Sequence, residues 1–112
     1  MTPEQLQSQL DLESIQPAHR AQTVSTGYTS DLLSDVMANA QEDSVLITIQ
    51  AHVNTIAVAS LAGIPAIIVC NSRPVPEDMI EAAQKENIAI YRSQENQYTV
   101  SHRVYQALNR SS

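Results

Sequence analysis

The chain has 112 residues, 43% of them hydrophobic, and a net charge of −6 with Lys85 as its only lysine. That length suits one domain with a real core. The acidic balance points away from nucleic acid, because a duplex-binding surface needs clustered cations to displace phosphate counterions. No apolar run approaches the ~18 residues of a membrane span, and Glu4 lies too early for a signal peptide, so a cytoplasmic protein is expected. One cysteine, Cys70, excludes an internal disulfide. With four Tyr and neither Trp nor Phe, the core falls to Ala, Val, Ile and Leu, which suits helices layered on a sheet.

In chain order, Thr2 can cap a helix that has Pro3 at its first position and Gln5 closing a capping box. Leu6 and Leu10 give that helix its apolar stripe. A short strand is predicted over Leu12–Gln16, stopped by Pro17, and its direction is open. A polar connection through His19 and Arg20 then leads to a second strand over Ala21–Ser25. Gly27 falls in the turn that follows. Leu32, Leu33, Val36 and Met37 mark a helix by their spacing, with Asp31 and Asp35 one turn apart on one face.

The rest repeats a strand-then-helix unit. Ser44–Ile49 reads as a strand, and Asn54–Ala62 as a small-residue apolar helix expected to be well buried. Gly63 should end that helix in a left-handed cap, with Ile64 packing back. Pro65–Cys70 is continuously apolar, as in a strand covered on both faces. Glu77–Lys85 is the next helix, with Asn87 in the capping place that Gly63 holds before. Ile88–Tyr91 is a strand, Ser93–Asn96 a loop, and Val100, Val104 and Leu108 face a closing helix that ends near Arg110. The expected fold is a compact layered α/β sandwich: a mainly parallel sheet of about five strands with helices on its faces.

Such a fold gathers the carboxyl ends of its strands on one rim, where open α/β sheets place ligands. The candidates there are Gly27, Thr29, Ser30, Asp31, Gln50, His52, Asn54, Asn71, Arg73 and Arg92. Thr29, Ser30 and Asp31 suit a helix cap, whereas Gly27 could let backbone amides approach an anion. Arg73 and Arg92 could clamp a phosphate or carboxylate, or simply pair with Glu77, Asp78 and Glu95. Gln50, His52 and Asn54 could read a ligand's polar edge. No phosphate-binding P-loop or dinucleotide fingerprint is present. His19, His52, Cys70 and His102 lack metal-ligand spacing, and Cys70 reads as a small hydrophobe. No metal or cofactor is expected.

The stretches Gly27–Ala40 and Leu46–Ala59 resemble the small stand-alone DRTGG-domain proteins, and the similarity runs from the first helix to the last. Within that family it most resembles the branch found beside genes for iron-only hydrogenases in anaerobic bacteria. The resemblance implies one DRTGG-like domain over residues 1–112, with the fold of the amino-terminal domain of HPr kinase/phosphatase and without that enzyme's catalytic domain. It also implies a homodimer and a protein partner from hydrogenase-linked metabolism. The sequence departs from the name-giving motif: Gln50, Ala51 and His52 replace its Asp-Arg, and Cys70, Asn71 and Ser72 replace its Thr-Gly-Gly. Two lost glycines remove a close backbone approach.

Three functions are open at this stage. The first is a non-catalytic regulatory or assembly module, homodimeric, binding a nucleotide-like or other anionic metabolite at the rim. The second is a small hydrolase or phosphotransfer enzyme using His52 with Asp31 or Asp35. The third is a purely structural protein-interaction domain, for which an apolar patch around Tyr98, Val100 and Tyr105 would speak.

Overall fold

The computed structural model describes residues 1–109. Helix α1 (Pro3–Leu10) begins with the reciprocal capping box of Thr2 and Gln5 and ends on Asp11 in the left-handed conformation. Strand β1 (Glu13–Gln16) follows, then β2 (Thr26–Thr29), α2 (Leu33–Asn39), β3 (Ser44–Thr48), α3 (Val53–Ala62), β4 (Ala66–Val69), α4 (Glu77–Glu86), β5 (Ala89–Arg92) and α5 (Gln97–Leu108). Arg110, near which the last helix was expected to end, lies outside the described residues.

The five strands form one sheet in the order β1-β5-β4-β3-β2. Strands β2 to β5 are parallel, and β1 runs antiparallel along β5. Alternate side chains of the central strands feed two cores. Val45, Ile47, Ala66, Ile68, Ala89 and Tyr91 meet α1 and α5 on one face. Leu46, Ile67, Val69 and Ile90 meet α2, α3 and α4 on the other. Every residue of β3 and β4 is therefore buried, while the edge strand β2 alternates between half-buried and exposed. Gly63 ends α3 at φ 74° and Asn87 ends α4 at φ 54°, each followed by a buried isoleucine.

Three expectations need correction. The second strand lies at Thr26–Thr29 rather than Ala21–Ser25, because pairing with β3 (Thr26 to Ser44, Thr29 to Ile47) sets where it forms. Gly27 therefore sits within an extended strand and not in a turn. A β-carbon there would lie 3.3 Å from Val104 Cγ1, so the missing side chain lets α5 close over the edge strand. Lastly, α3 is apolar but not well buried. Only Thr55, Ile56 and Ala59 are buried, and Leu61 is 75% exposed, because the helix lies in an outer layer and turns one stripe to the sheet.

Candidate functional site

Four parallel strands end on one rim, and their connections define what can meet there. After β2, Ser30 Oγ accepts the Leu32 amide at 3.2 Å, and Thr29 Oγ1 shares a hydrogen bond with Ser101 Oγ at 2.7 Å. Neither residue caps α2, whose first turn is preceded by Leu32 with no side-chain cap. Asp31 also lies outside the helix, so it does not share a face with Asp35. Its Oδ1 accepts from Thr48 Oγ1 and the Ile49 amide at 2.9 Å and from Gln97 Nε2 at 3.0 Å. It braces the rim from within.

After β3, Gln50 Nε2 donates to the Asp31 carbonyl at 3.0 Å. His52 caps α3, its Nδ1 accepting the Asn54 amide at 3.0 Å. With Nδ1 an acceptor, the neutral ring carries its proton on Nε2. After β4, Asn71 and Ser72 turn the chain at φ 60° and 52°. Their amides donate to the carbonyls of Glu95 and Ser93 at 3.0 and 2.9 Å, which zips the β4–α4 loop to the β5–α5 loop. Arg73 then projects beside Pro74, Val75 and Pro76. Gln50, His52 and Arg73 line one open cleft of about 490 Å³ with Ile49 and those three residues. The Arg73 guanidinium has no hydrogen-bond or ion-pair partner among the described residues.

Arg92 does not join Arg73 in a clamp. Its Nε and Nη2 each donate to Glu13 at 2.9 Å, and Nη1 reaches only the Arg73 carbonyl at 3.3 Å. Its partner is none of the expected acids, because the antiparallel pairing of β1 on β5 sets Glu13 opposite Arg92. Glu95 pairs instead with Arg103, whose Nη2 also donates to the Leu10 carbonyl at 2.7 Å. Of the ten rim candidates, three thus share a cleft. Asp31 supports it, Asn54 and Asn71 shape its loops, and Gly27, Thr29, Ser30 and Arg92 lie elsewhere.

The pairing of His52 with Asp31 or Asp35 that an enzyme would need is not formed. Among the described residues no carboxylate is a hydrogen-bond partner of His52, and Asp35 accepts from Tyr28 Oη at 2.7 Å and Asn39 Nδ2 at 2.9 Å. Burial, then the Asp31 carboxylate and least of all Glu95, push the Cys70 thiol up to about 11, against an opposing hydrogen bond with the Thr48 backbone. A neutral thiol in the core is a poor nucleophile. Native protein at pH 8 should resist iodoacetamide and become alkylated only on unfolding, read by mass spectrometry. Among the described residues no cluster of His, Cys, Asp and Glu could hold a metal ion, and no helix is long and apolar enough to cross a membrane. The proposed apolar patch of the last helix is two tyrosines, Tyr98 and Tyr105, 85% and 68% exposed; Val100 turns into the core.

The hydrogen bond from Arg92 holds the Glu13 carboxyl below its ordinary 4.5, and the one from Tyr28, then Asn39, holds Asp35 below 3.8. A carboxylate depressed in the folded state stabilises above its unfolded value and loses that contribution as pH falls through the folded value. Thermal midpoints should accordingly drop once pH passes below 4.5. Glu13→Gln should flatten the upper part of that drop.

The family model of the HPr serine kinase N terminus matches residues 47–108, more than half of the chain. The chain belongs to this family. No curated protein matches it. Among solved structures it is similar to the CBS and DRTGG domains of the regulatory region of Clostridium perfringens pyrophosphatase, complexed with the activator diadenosine tetraphosphate. That match has a TM-score of 0.74 at 15% identity and covers 96% of this chain and 47% of the other. The chain thus spans about half the length of that structure, and the likeness is one of fold. The span matched by the HPr kinase N-terminus family begins in β3, so it holds Gln50, His52, Asn71 and Arg73 but not Asp31. Where a DRTGG motif has its two glycines, Asn71 and Ser72 keep the left-handed backbone that glycine favours. The turn here carries side chains at its tip.

Proposed function

We propose that this chain is a non-catalytic regulatory module that takes a nucleotide-like or other anionic metabolite in the cleft between the β3–α3 and β4–α4 loops. The observation that carries this reading is the convergence of Gln50, His52 and the unpaired Arg73 on that one cleft. Arg73 offers a planar fork to a phosphate or carboxylate. The amino end of α3 adds partial positive charge, and His52 Nε2–H a further donor. Val75, Pro74 and Pro76 give the cleft an apolar wall for a base or sugar. The nucleotide activator of the similar pyrophosphatase region lends support to a nucleotide over other anions.

The test is thermal unfolding against adenine and guanine nucleotides, phosphate and acetyl phosphate. A ligand at ~100 times its Kd stabilises by about 2.7 kcal/mol, a shift of several degrees at this size. Arg73→Ala should abolish the phosphate-dependent part of the shift, the excess of a nucleotide over its nucleoside, and leave the unliganded midpoint unchanged, since its side chain holds nothing among the described residues. A flat panel would remove the ligand and leave protein assembly, and equal shifts in wild type and Arg73→Ala would take the ligand out of this cleft.

The module is further proposed to act as a single domain and a homodimer, in keeping with the DRTGG resemblance and with exposed Leu32, Met37 and Leu61 around α2 and α3. A partner in hydrogenase-linked metabolism and a cytoplasmic setting belong to the same reading, on the resemblance alone.

A further inference from the structure

A second cavity, of about 250 Å³, lies away from the rim, between α1, the loop of residues 17–22 and the β1 edge of the sheet. Pro3, Pro17 and Ala18 give it stiff apolar walls, and Tyr91 lies beneath them. Tyr91 is 2% exposed and part of the core. Its hydroxyl takes part in no hydrogen bond among the described residues, yet no fully buried side-chain polar atom there lacks a partner. The little exposure left to Tyr91 therefore includes its hydroxyl, which opens into the cavity that the residue lines.

The wall opposite is held in place from a distance. Asn87 Oδ1 accepts the His19 and Arg20 amides at 2.6 and 3.1 Å, and the Asn87 carbonyl accepts the Gln22 side-chain amide. Glu4 lines the same cavity. Burial, and then the Glu4 carboxylate, push the Tyr91 hydroxyl up to about 12, so it stays protonated and can donate. The same carboxylate is an acceptor and the Tyr91 hydroxyl a donor, so the group that suits the pair presents a donor to Glu4 and an acceptor to Tyr91. An amino group beside a ring nitrogen does both.

We infer that this cavity is a second binding site, taking the amino-substituted edge of a neutral heterocyclic base, with Tyr91 donating to the ring nitrogen and Glu4 accepting from the amine. Sites for whole drug-sized ligands run to roughly 300–1,000 Å³, so this one holds a single base. Any sugar or phosphate attached to it would run out past the exposed His19 and Arg20. The site is independent of the rim cleft, because a base without phosphate gives Arg73 nothing to bind.

The experiment is a proton–nitrogen NMR titration of the full chain with adenosine, repeated with purine riboside, which keeps the ring nitrogens and lacks the amine. Adenosine should move the amide signals of residues 4–7 and 18–22 and leave those of residues 50–53, 71–73 and 75 in place. Its affinity should fall roughly tenfold or more in Tyr91→Phe, which deletes one hydroxyl and keeps the ring in the core, and purine riboside should bind more weakly than adenosine. Glu4→Gln, at an exposed position, should weaken adenosine without affecting the fold. No change up to millimolar adenosine, changes confined to residues 50–53, 71–73 and 75, equal binding by Tyr91→Phe, or equal binding of purine riboside would each overturn the inference.

Discussion

Asp31→Ala is expected to lower stability by about 3 kcal/mol, enough to bring the thermal midpoint down by roughly ten degrees or more. One carboxylate oxygen takes three donors, and these come from the end of β3 and the first residue of α5. Removing it cuts the side-chain ties of the β2–α2 junction to both elements, though the Asp31 carbonyl still accepts from Gln50, and leaves the Thr48 hydroxyl and the Ile49 amide without an acceptor. Hydrogen bonds to a charged group contribute about 1.5–3 kcal/mol each when buried, and partial access of water to this site reduces their sum. Asp31→Asn keeps an acceptor oxygen and loses the charge, so a loss of about 1 kcal/mol is expected. Denaturant melts of the two variants separate the terms. Equal losses would show that the charge adds nothing.

At Asn87, alanine and glycine should behave differently. This residue ends α4 in the left-handed conformation, where a β-carbon costs about 1–2 kcal/mol, and its side-chain oxygen holds the amides of His19 and Arg20. Alanine keeps the strain and loses the acceptor, for a total near ~3 kcal/mol once two amides go unpaired. Glycine relieves the strain at the helix end, so about half that loss should remain. Amide exchange at His19 and Arg20 should quicken in both variants. If it does not, Asn87 acts only as a helix terminator and the wall of the α1-side cavity has another anchor.

The candidate site was legible only in part. Gln50, His52 and Arg73 fall at the ends of consecutive parallel strands, and parallel neighbours bring such ends together, so their meeting follows from the order of elements. The fate of Arg92 does not follow from it. Glu13 stands 79 residues away, and nothing in the spacing says which strand β1 will join. Asp31 and Gln97 are likewise 66 residues apart. Gly27 gave a misleading signal: a glycine beside polar residues suggests a turn, and its close approach to Val104 exists only once α5 lies across the sheet. The cavity over Tyr91 left no motif, since its walls come from three separate segments.

What the sequence determined by itself is everything fixed within a few residues. The capping box of α1, the left-handed ends at Gly63 and Asn87, and the continuously apolar β4 all follow from short-range backbone geometry and from burial on two faces. The tertiary structure decided the rest. Strand pairing moved β2 to Thr26–Thr29, the outer layer left α3 half exposed, and the β1 edge took Arg92 away from the cleft and left Arg73 there with no partner among the described residues. The physical reason is that a hydrogen bond between strands, or an ion pair across them, depends on which surfaces meet, and no local propensity carries that information.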